Sequence, residues 1–93
     1  MNHLSKMQHI HMIGIGGVGM SGIAELMMNM SFNVSGSDIT NNYSVKRLID
    51  IGIPVTIGHD KKNIINADIV VYSSAIKKDN CEILAAQASN IPL

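Results

Sequence analysis

Short apolar runs alternate along the chain with stretches whose apolar residues recur at helical spacing, and glycine, asparagine or proline marks most of the changes. His9–Ile15 (HIHMIGI) reads as a first strand. From Val18 to Met30, the residues Met20, Ile23, Ala24, Met27 and Met28 fall at i, i+3, i+4, i+7 and i+8, one face of a helix. Phe32–Ser35 is a second, short strand closed by Gly36-Ser37-Asp38. Thr40-Asn41-Asn42 is a loop, with Asn42 or Ser44 available to cap a second helix running to about Ile51. Gly52 stops that helix, and Pro54–Ile57 follows as a third strand. Lys61–Asn66 is at most a short helix. Asp68–Tyr72 (DIVVY) is apolar on both faces, as a buried parallel strand should be. Asp79–Ala88 reads as a last helix, and Ile91-Pro92-Leu93 as the opening of a further strand.

This alternation predicts one α/β domain over residues 1–93, Rossmann-like and three-layered. A parallel sheet of about five strands should carry helices on both faces, joined by right-handed crossovers.

The first strand and first helix meet in Gly14-Ile15-Gly16-Gly17-Val18-Gly19, which satisfies G-x-G-x-x-G in the strand–loop–helix context that its mechanism needs. Gly14 permits a tight turn, Gly16 lets backbone approach a diphosphate, and Gly19 allows close helix packing. N–H groups around Val18–Ser21, at the positive end of the helix dipole, should face the phosphates. Asp38 ends the second predicted strand 24 residues after Gly14, where an acid commonly meets ribose hydroxyls; a capping or solvated aspartate is the alternative.

Charge and cysteine content narrow the partners. Seven basic residues balance seven acidic ones, which argues against a nucleic-acid binder, and no polybasic run suggests a membrane surface. Cys81 alone provides no disulfide, redox pair or cysteine-based metal site. His9, His11 and the glycines interrupt the apolar stretch after Lys6, so a signal peptide is disfavoured and an intracellular setting expected. No apolar run approaches the ~18 residues of a membrane span.

Beyond the glycine loop the pattern becomes more specific. The runs HMIGIGGVGMSGIAE, VSGSD, IGIPVTIGH, DIVVYSSAI and NIPL, from about His9 onward, resemble the Mur ligases in order and spacing. The combination of Met20-Ser21-Gly22 with Ser73-Ser74-Ala75-Ile76 carries the resemblance furthest. It implies a three-domain cytoplasmic enzyme of peptidoglycan synthesis, with only the N-terminal domain present here. In that family this domain binds the UDP part of UDP-N-acetylmuramate. A central domain binds ATP and magnesium, and a C-terminal domain receives the amino acid, L-alanine in the step these runs match best. The muramyl carboxylate is activated as an acyl phosphate, which the amine attacks.

The chain has no G-x-x-x-x-G-K-[ST], so it is expected to bind without catalysing and to hold no cofactor itself; Ile91-Pro92-Leu93 is expected to end it inside its next strand. Carried over, the resemblance places Gly16, Gly17, Val18, Gly19, Met20 and Ser21 on the diphosphate and Asp38 on the ribose. Gly58-His59 and Ser73, Ser74, Ala75 and Ile76 would line the nucleotide pocket at strand carboxyl ends. Where the family often has threonine at the start of the second helix, this chain has Val45 beside Ser44.

Several residues have plainer readings. His59 serves equally well as a ligand contact or a surface histidine, and Ser73 and Ser74 lack a nearby base for nucleophilic chemistry. His9 and His11, at alternate positions, are expected to be strand-face residues rather than a metal pair. His3 falls in a polar start expected to be disordered. Met27, Met28 and Met30 should fill core gaps, and Cys81 is an incidental thiol. Two other functions share the glycine loop: the nucleotide half of an NAD(P)-dependent oxidoreductase, and a regulatory nucleotide sensor.

Overall fold

The computed structural model describes residues 8–93, so His3 lies outside the described residues. Strand β1 (His9–Ile13) leads through a glycine loop to helix α1 (Met20–Asn29) and then to β2 (Asn33–Asp38). Next come α2 (Tyr43–Asp50), β3 (Val55–Ile57), a 3-10 turn at Lys61–Ile64, β4 (Ile69–Tyr72) and α3 (Cys81–Ala88). All three strand pairings are parallel, in the order β3-β2-β1-β4.

Alternation along β1 builds the layers. Ile10 and Met12 point to one face and pack with Ile15, Met20, Ala24, Val34, Leu48 and Ile53 beneath α1 and α2. Ile13 points to the other and joins Ile64, Ala67, Val70, Ile83 and Ala86 beneath α3. The three-layer α/β arrangement is therefore as predicted, with helices on both faces.

Among the described residues the sheet has four strands, not about five. Ile91–Leu93 is not a strand, although the Val70 N–H donates to the Pro92 carbonyl at 2.9 Å beside the β4 edge. Proline at 92 has no N–H with which to continue a ladder. Strand β1 ends at Ile13, two residues early, because Gly14 turns to φ +75° and the N–H groups of Gly14 and Ile15 both donate to the Ser37 carbonyl (2.8 and 3.1 Å). Strand β2 runs three residues further than its composition suggested. Gly36 and Ser37 pair with Met12 and Ile13 on one side, and Gly36–Asp38 pair with Val55–Ile57 on the other. Two-sided pairing overrides the weak strand preference of Ser-Gly-Ser-Asp.

Gly36 is required there for a second reason: Ile15 folds over it, and a Cβ at 36 would sit 2.7 Å from the Ile15 Cβ. Of the two candidate caps for α2, Asn42 is used, its side chain accepting from the Val45 N–H at 2.9 Å. Helix α1 starts at Met20 rather than near Val18, and α3 starts after the Asn80 cap rather than at Asp79.

The chain steps outward from β1 to β2 to β3, then returns to lay β4 on the opposite side of β1. Between β1 and β4 the winding reverses, so their carboxyl ends flank a topological switch point, where ligands of open α/β sheets bind.

Candidate functional site

The glycine loop leaves the carboxyl end of β1 directly at this switch point. Its first turn closes with the Gly17 N–H donating to the Gly14 carbonyl (3.0 Å), and the Gly17 carbonyl then accepts from Met20 and Ser21 (3.1 and 3.3 Å). Gly19, at φ +83°, is the N-cap of α1, supplies no side-chain cap, and is followed by no acid in the first helical turn. Among the described residues the N–H groups of Val18 and Gly19 take no acceptor. An uncapped helix start with outward N–H groups is a site for a phosphate-like anion.

The second strand holds this loop in shape. Asp38 Oδ2 accepts from the Gly16 N–H at 2.9 Å and Oδ1 from the Thr40 N–H at 3.1 Å. Asn42 Nδ2 reaches back to the Gly16 carbonyl at 3.3 Å. A Cβ on Gly16 would lie 2.5 Å from Val45 Cγ2 and 3.0 Å from both Asn42 Oδ1 and Asp38 Oδ2. Val45, where the resemblance suggested a threonine, is thus the wall that makes glycine necessary at 16. Asp38 is buried and acts on the loop itself. Each carboxylate oxygen keeps a further lone pair, so a ribose hydroxyl at the same group stays compatible with this geometry.

Ser73–Ile76 forms a turn after β4, with the Ser73 hydroxyl accepting from the Ala75 N–H (3.3 Å) and its carbonyl from the Ile76 N–H (3.1 Å). Ile76 Cδ1 closes on Gly14, 2.8 Å from where a Cβ would project. The turn therefore abuts the glycine loop across the switch point, with Ser74 and Ala75 exposed. The loop Gly16–Ser21, braced by Asp38, and the turn Ser73–Ala75 thus share one rim through the contact of Ile76 with Gly14. Met20 belongs to it through its backbone only, because its side chain is buried in the core.

His59 is placed differently from both of its sequence readings. It turns inward, Nδ1 facing Ser37 Oγ at 2.9 Å and Glu82 Oε2 at 3.2 Å. Glu82 is the residue that sequence reasoning missed. It comes from the first turn of α3, is 0 % exposed, and receives donors on both oxygens. His11 Nε2 (2.7 Å) and the Ser37 hydroxyl (2.8 Å) meet Oε1; Asn63 Nδ2 (2.9 Å) and the Asp60 N–H (3.1 Å) join His59 at Oε2. The available signal was an acid in a turn flanked by Cys81, Ile83, Leu84 and Ala85, which leaves no polar face to carry it outward. Two histidines at alternate positions of a buried strand were the other half of the signal.

Burial pushes the Glu82 carboxyl up, but hydrogen bonds from His11, Asn63 and Ser37 and attraction to His11 outweigh it and hold the group at about 2, below its ordinary 4.5. A depressed carboxyl stabilises the fold above the unfolded value and loses that contribution as pH falls through the folded one. Urea midpoints should therefore decline between about pH 4.5 and 2, a loss of roughly 3 kcal/mol from this group. Glu82→Gln should flatten that part of the profile; an equally steep decline in the variant would assign it to other carboxyls.

With this geometry in place, the comparisons are decisive. A profile described as Mur ligase family, catalytic domain, matches residues 9–93, nearly the whole chain. The chain belongs to the Mur ligase family. Among its relatives, the UDP-N-acetylmuramate–L-alanine ligase of Psychrobacter cryohalolentis is 54 % identical over 90 residues, covering 97 % of this chain and 19 % of that protein. The ligase of the same name from Azorhizobium caulinodans is 56 % identical over 84 residues, 90 % of this chain and 18 % of that one. The crystal structure of the UDP-N-acetylmuramate-alanine ligase of Thermotoga maritima superposes with a TM-score of 0.88 at 34 % identity, covering 94 % of this chain and 20 % of that one. A Neisseria ligase named for UDP-N-acetylmuramate and L-alanyl-γ-D-glutamyl-meso-diaminopimelate follows at 0.85 and 32 %, covering 94 % and 28 %. The chain thus spans about a fifth of the curated Mur ligases it matches. No helix among the described residues is long and apolar enough to cross a membrane.

Proposed function

We propose that this chain is the UDP-binding N-terminal domain of a cytoplasmic, ATP-dependent amide-forming ligase that adds L-alanine to UDP-N-acetylmuramate in peptidoglycan synthesis. The observation that carries the reading is the uncapped start of α1 at the switch point, with the Val18 and Gly19 N–H groups open to a diphosphate. The names of the relatives supply the substrate and the amino acid. The loop of Gly16, Gly17, Val18, Gly19, Met20 and Ser21 holds the diphosphate, with the N–H groups of Val18 and Gly19 as its free donors. Asp38 braces that loop and meets the ribose, while Ser73, Ser74 and Ala75 close the opposite wall; His59, turned inward onto Ser37 and Glu82, is left out of the pocket.

ATP, magnesium and L-alanine belong, in this proposal, to the remaining four-fifths of the ligase. The domain by itself binds and does not catalyse.

Calorimetric titration with UDP-N-acetylmuramate, and with NAD and NADPH in parallel, tests the reading. Heat from the UDP-sugar alone supports it, and heat from NAD or NADPH alone replaces it with a dehydrogenase half. Asp38 provides the residue-level check. Asp38→Ala should weaken UDP-sugar binding by about 1.5–3 kcal/mol, losing the Gly16 brace and the ribose acceptor together. Asp38→Asn keeps an oxygen for the Gly16 N–H and should lose less than half of that. An unchanged affinity in the alanine variant would remove Asp38 from the site.

A further inference from the structure

Beneath the rim lies a line of titratable groups that nucleotide binding does not use. The Asn66 carbonyl faces His9 Nδ1 at 3.0 Å, and His9 Nε2 faces Ser35 Oγ at 2.7 Å. Ser35 Oγ in turn faces His11 Nδ1 at 2.9 Å, and His11 Nε2 faces Glu82 Oε1 at 2.7 Å. Both ends of the line are acceptors: a carbonyl has no proton to give, and an ionised carboxylate only accepts. Four successive contacts between two acceptors require four protons. Two neutral imidazoles and one hydroxyl bring three.

We infer that the line holds one additional proton, shared between His9 and His11 through the Ser35 hydroxyl, which makes it a cation, half-buried at His9 and buried at His11, that balances Glu82. With the proton on His11, that ring donates from both nitrogens and Ser35 donates to His9 Nε2. With it on His9, the Ser35 hydroxyl turns round and donates to His11 Nδ1. The two arrangements differ only by a transfer across one hydroxyl.

The surroundings place the proton on the imidazoles rather than on the acid. Glu82, from α3, already accepts from Ser37 of β2, from His59 and Asp60 after β3, and from Asn63 of the 3-10 turn, donors that favour its ionised form. Asp68, just before β4, adds a second negative group, its Oδ2 accepting the His9 backbone N–H at 2.7 Å. Asp60 directs its own carboxylate to the Lys62 N–H. No lysine or arginine among the described residues pairs with Glu82; its ion-pair partners are His11 of the line at 2.7 Å and His59 at 3.2 Å, and His11 is the nearer and more buried of the two.

Counting ring protons tests this without any ligand. In nitrogen–proton correlation spectra of the histidine-labelled chain at about pH 7.5, a free imidazole is mostly neutral. His9 and His11 should together show three ring N–H protons there, where two neutral rings would show two. In Glu82→Gln the amide can donate to His11 Nε2, so the line closes with neutral groups alone. That variant should show two ring protons, with His11 inverted from the Nε2–H to the Nδ1–H form. Ser35→Ala, at a half-buried position, cuts the line at its middle and should also fall to two, which keeps the test open if the glutamine variant fails to fold. Two ring protons in the unsubstituted chain would overturn the inference, and so would three retained in either folded variant.

Discussion

Glu82→Ala should destabilise the chain by about 3–5 kcal/mol, the cost typical of removing one partner from a buried ionic network. The size follows from what is left behind. His11, Ser37, Asn63, His59 and the Asp60 N–H would all lose their acceptor, and for His11 and Ser37 that loss falls in a fully buried place. The vacated volume adds to the cost, because Ile83 and Ala86 on the same helix are packed against the sheet. For a domain of this length the melting temperature should fall by at least about 12 °C. Stability of small domains is only about 5–15 kcal/mol, so the variant should be partly unfolded at ambient temperature if the parent lies at the low end. Glu82→Gln, which keeps the shape and can reverse the His11 tautomer, should cost about 1 kcal/mol. Thermal and urea unfolding of both variants read this directly. A loss below 1 kcal/mol in the alanine variant would mean that the five donors find other partners, and that Glu82 does not organise the region beneath the rim.

The ease with which parts of this fold could be read follows from where the free energy is local and where it is not. The glycine loop was legible because its requirements are written in neighbouring residues: turn glycines after an apolar strand and an apolar helical face after them. Strand β4 was legible as an unbroken apolar run, although it lies at the sheet edge with Val70 alone fully buried and Tyr72 exposed. Strand β2 was read three residues short because Gly36, Ser37 and Asp38 are strand residues only by virtue of β1 and β3 on either side. The extra strand was expected from an apolar triplet whose pairing depends on residues other than its own.

The site shows the same division. Ser73–Ile76 reached the loop as the strand-end rule implies. The inward turn of His59 was hidden, because its partners Ser37 and Glu82 lie 22 and 23 residues away. Glu82 itself was hidden because its nearest partner in sequence outside its own helix and cap is 19 residues off, and His11 is 71. Polar networks assembled from five segments leave no periodicity for a reader to find.

Gly16→Ala tests the loop where sequence and structure agree, and should affect binding more than folding. Gly16 does not need glycine for its backbone angle; the positive φ values of the loop belong to Gly14 and Gly19. It needs glycine for space. A methyl group at 16 meets Val45 Cγ2, in a wall that is itself 0 % exposed, together with the two side chains that brace the loop, Asn42 and Asp38. Relief requires the loop to lift by a fraction of an ångström toward the side where the diphosphate would lie. Lifting lengthens the Gly16 N–H to Asp38 bond and displaces the unpaired Val18 and Gly19 N–H groups. Overpacking of this kind costs about 1–3 kcal/mol in stability. The loss in UDP-sugar affinity should be larger, about a hundredfold, since several backbone donors are displaced together. The double variant Gly16→Ala, Val45→Ala restores the space and should recover most of the affinity, because the two positions touch and their effects cannot add. Calorimetry on the single and double variants decides the matter. If Val45→Ala fails to rescue, the alanine acts on the ligand directly, and Gly16 is then a contact residue in its own right.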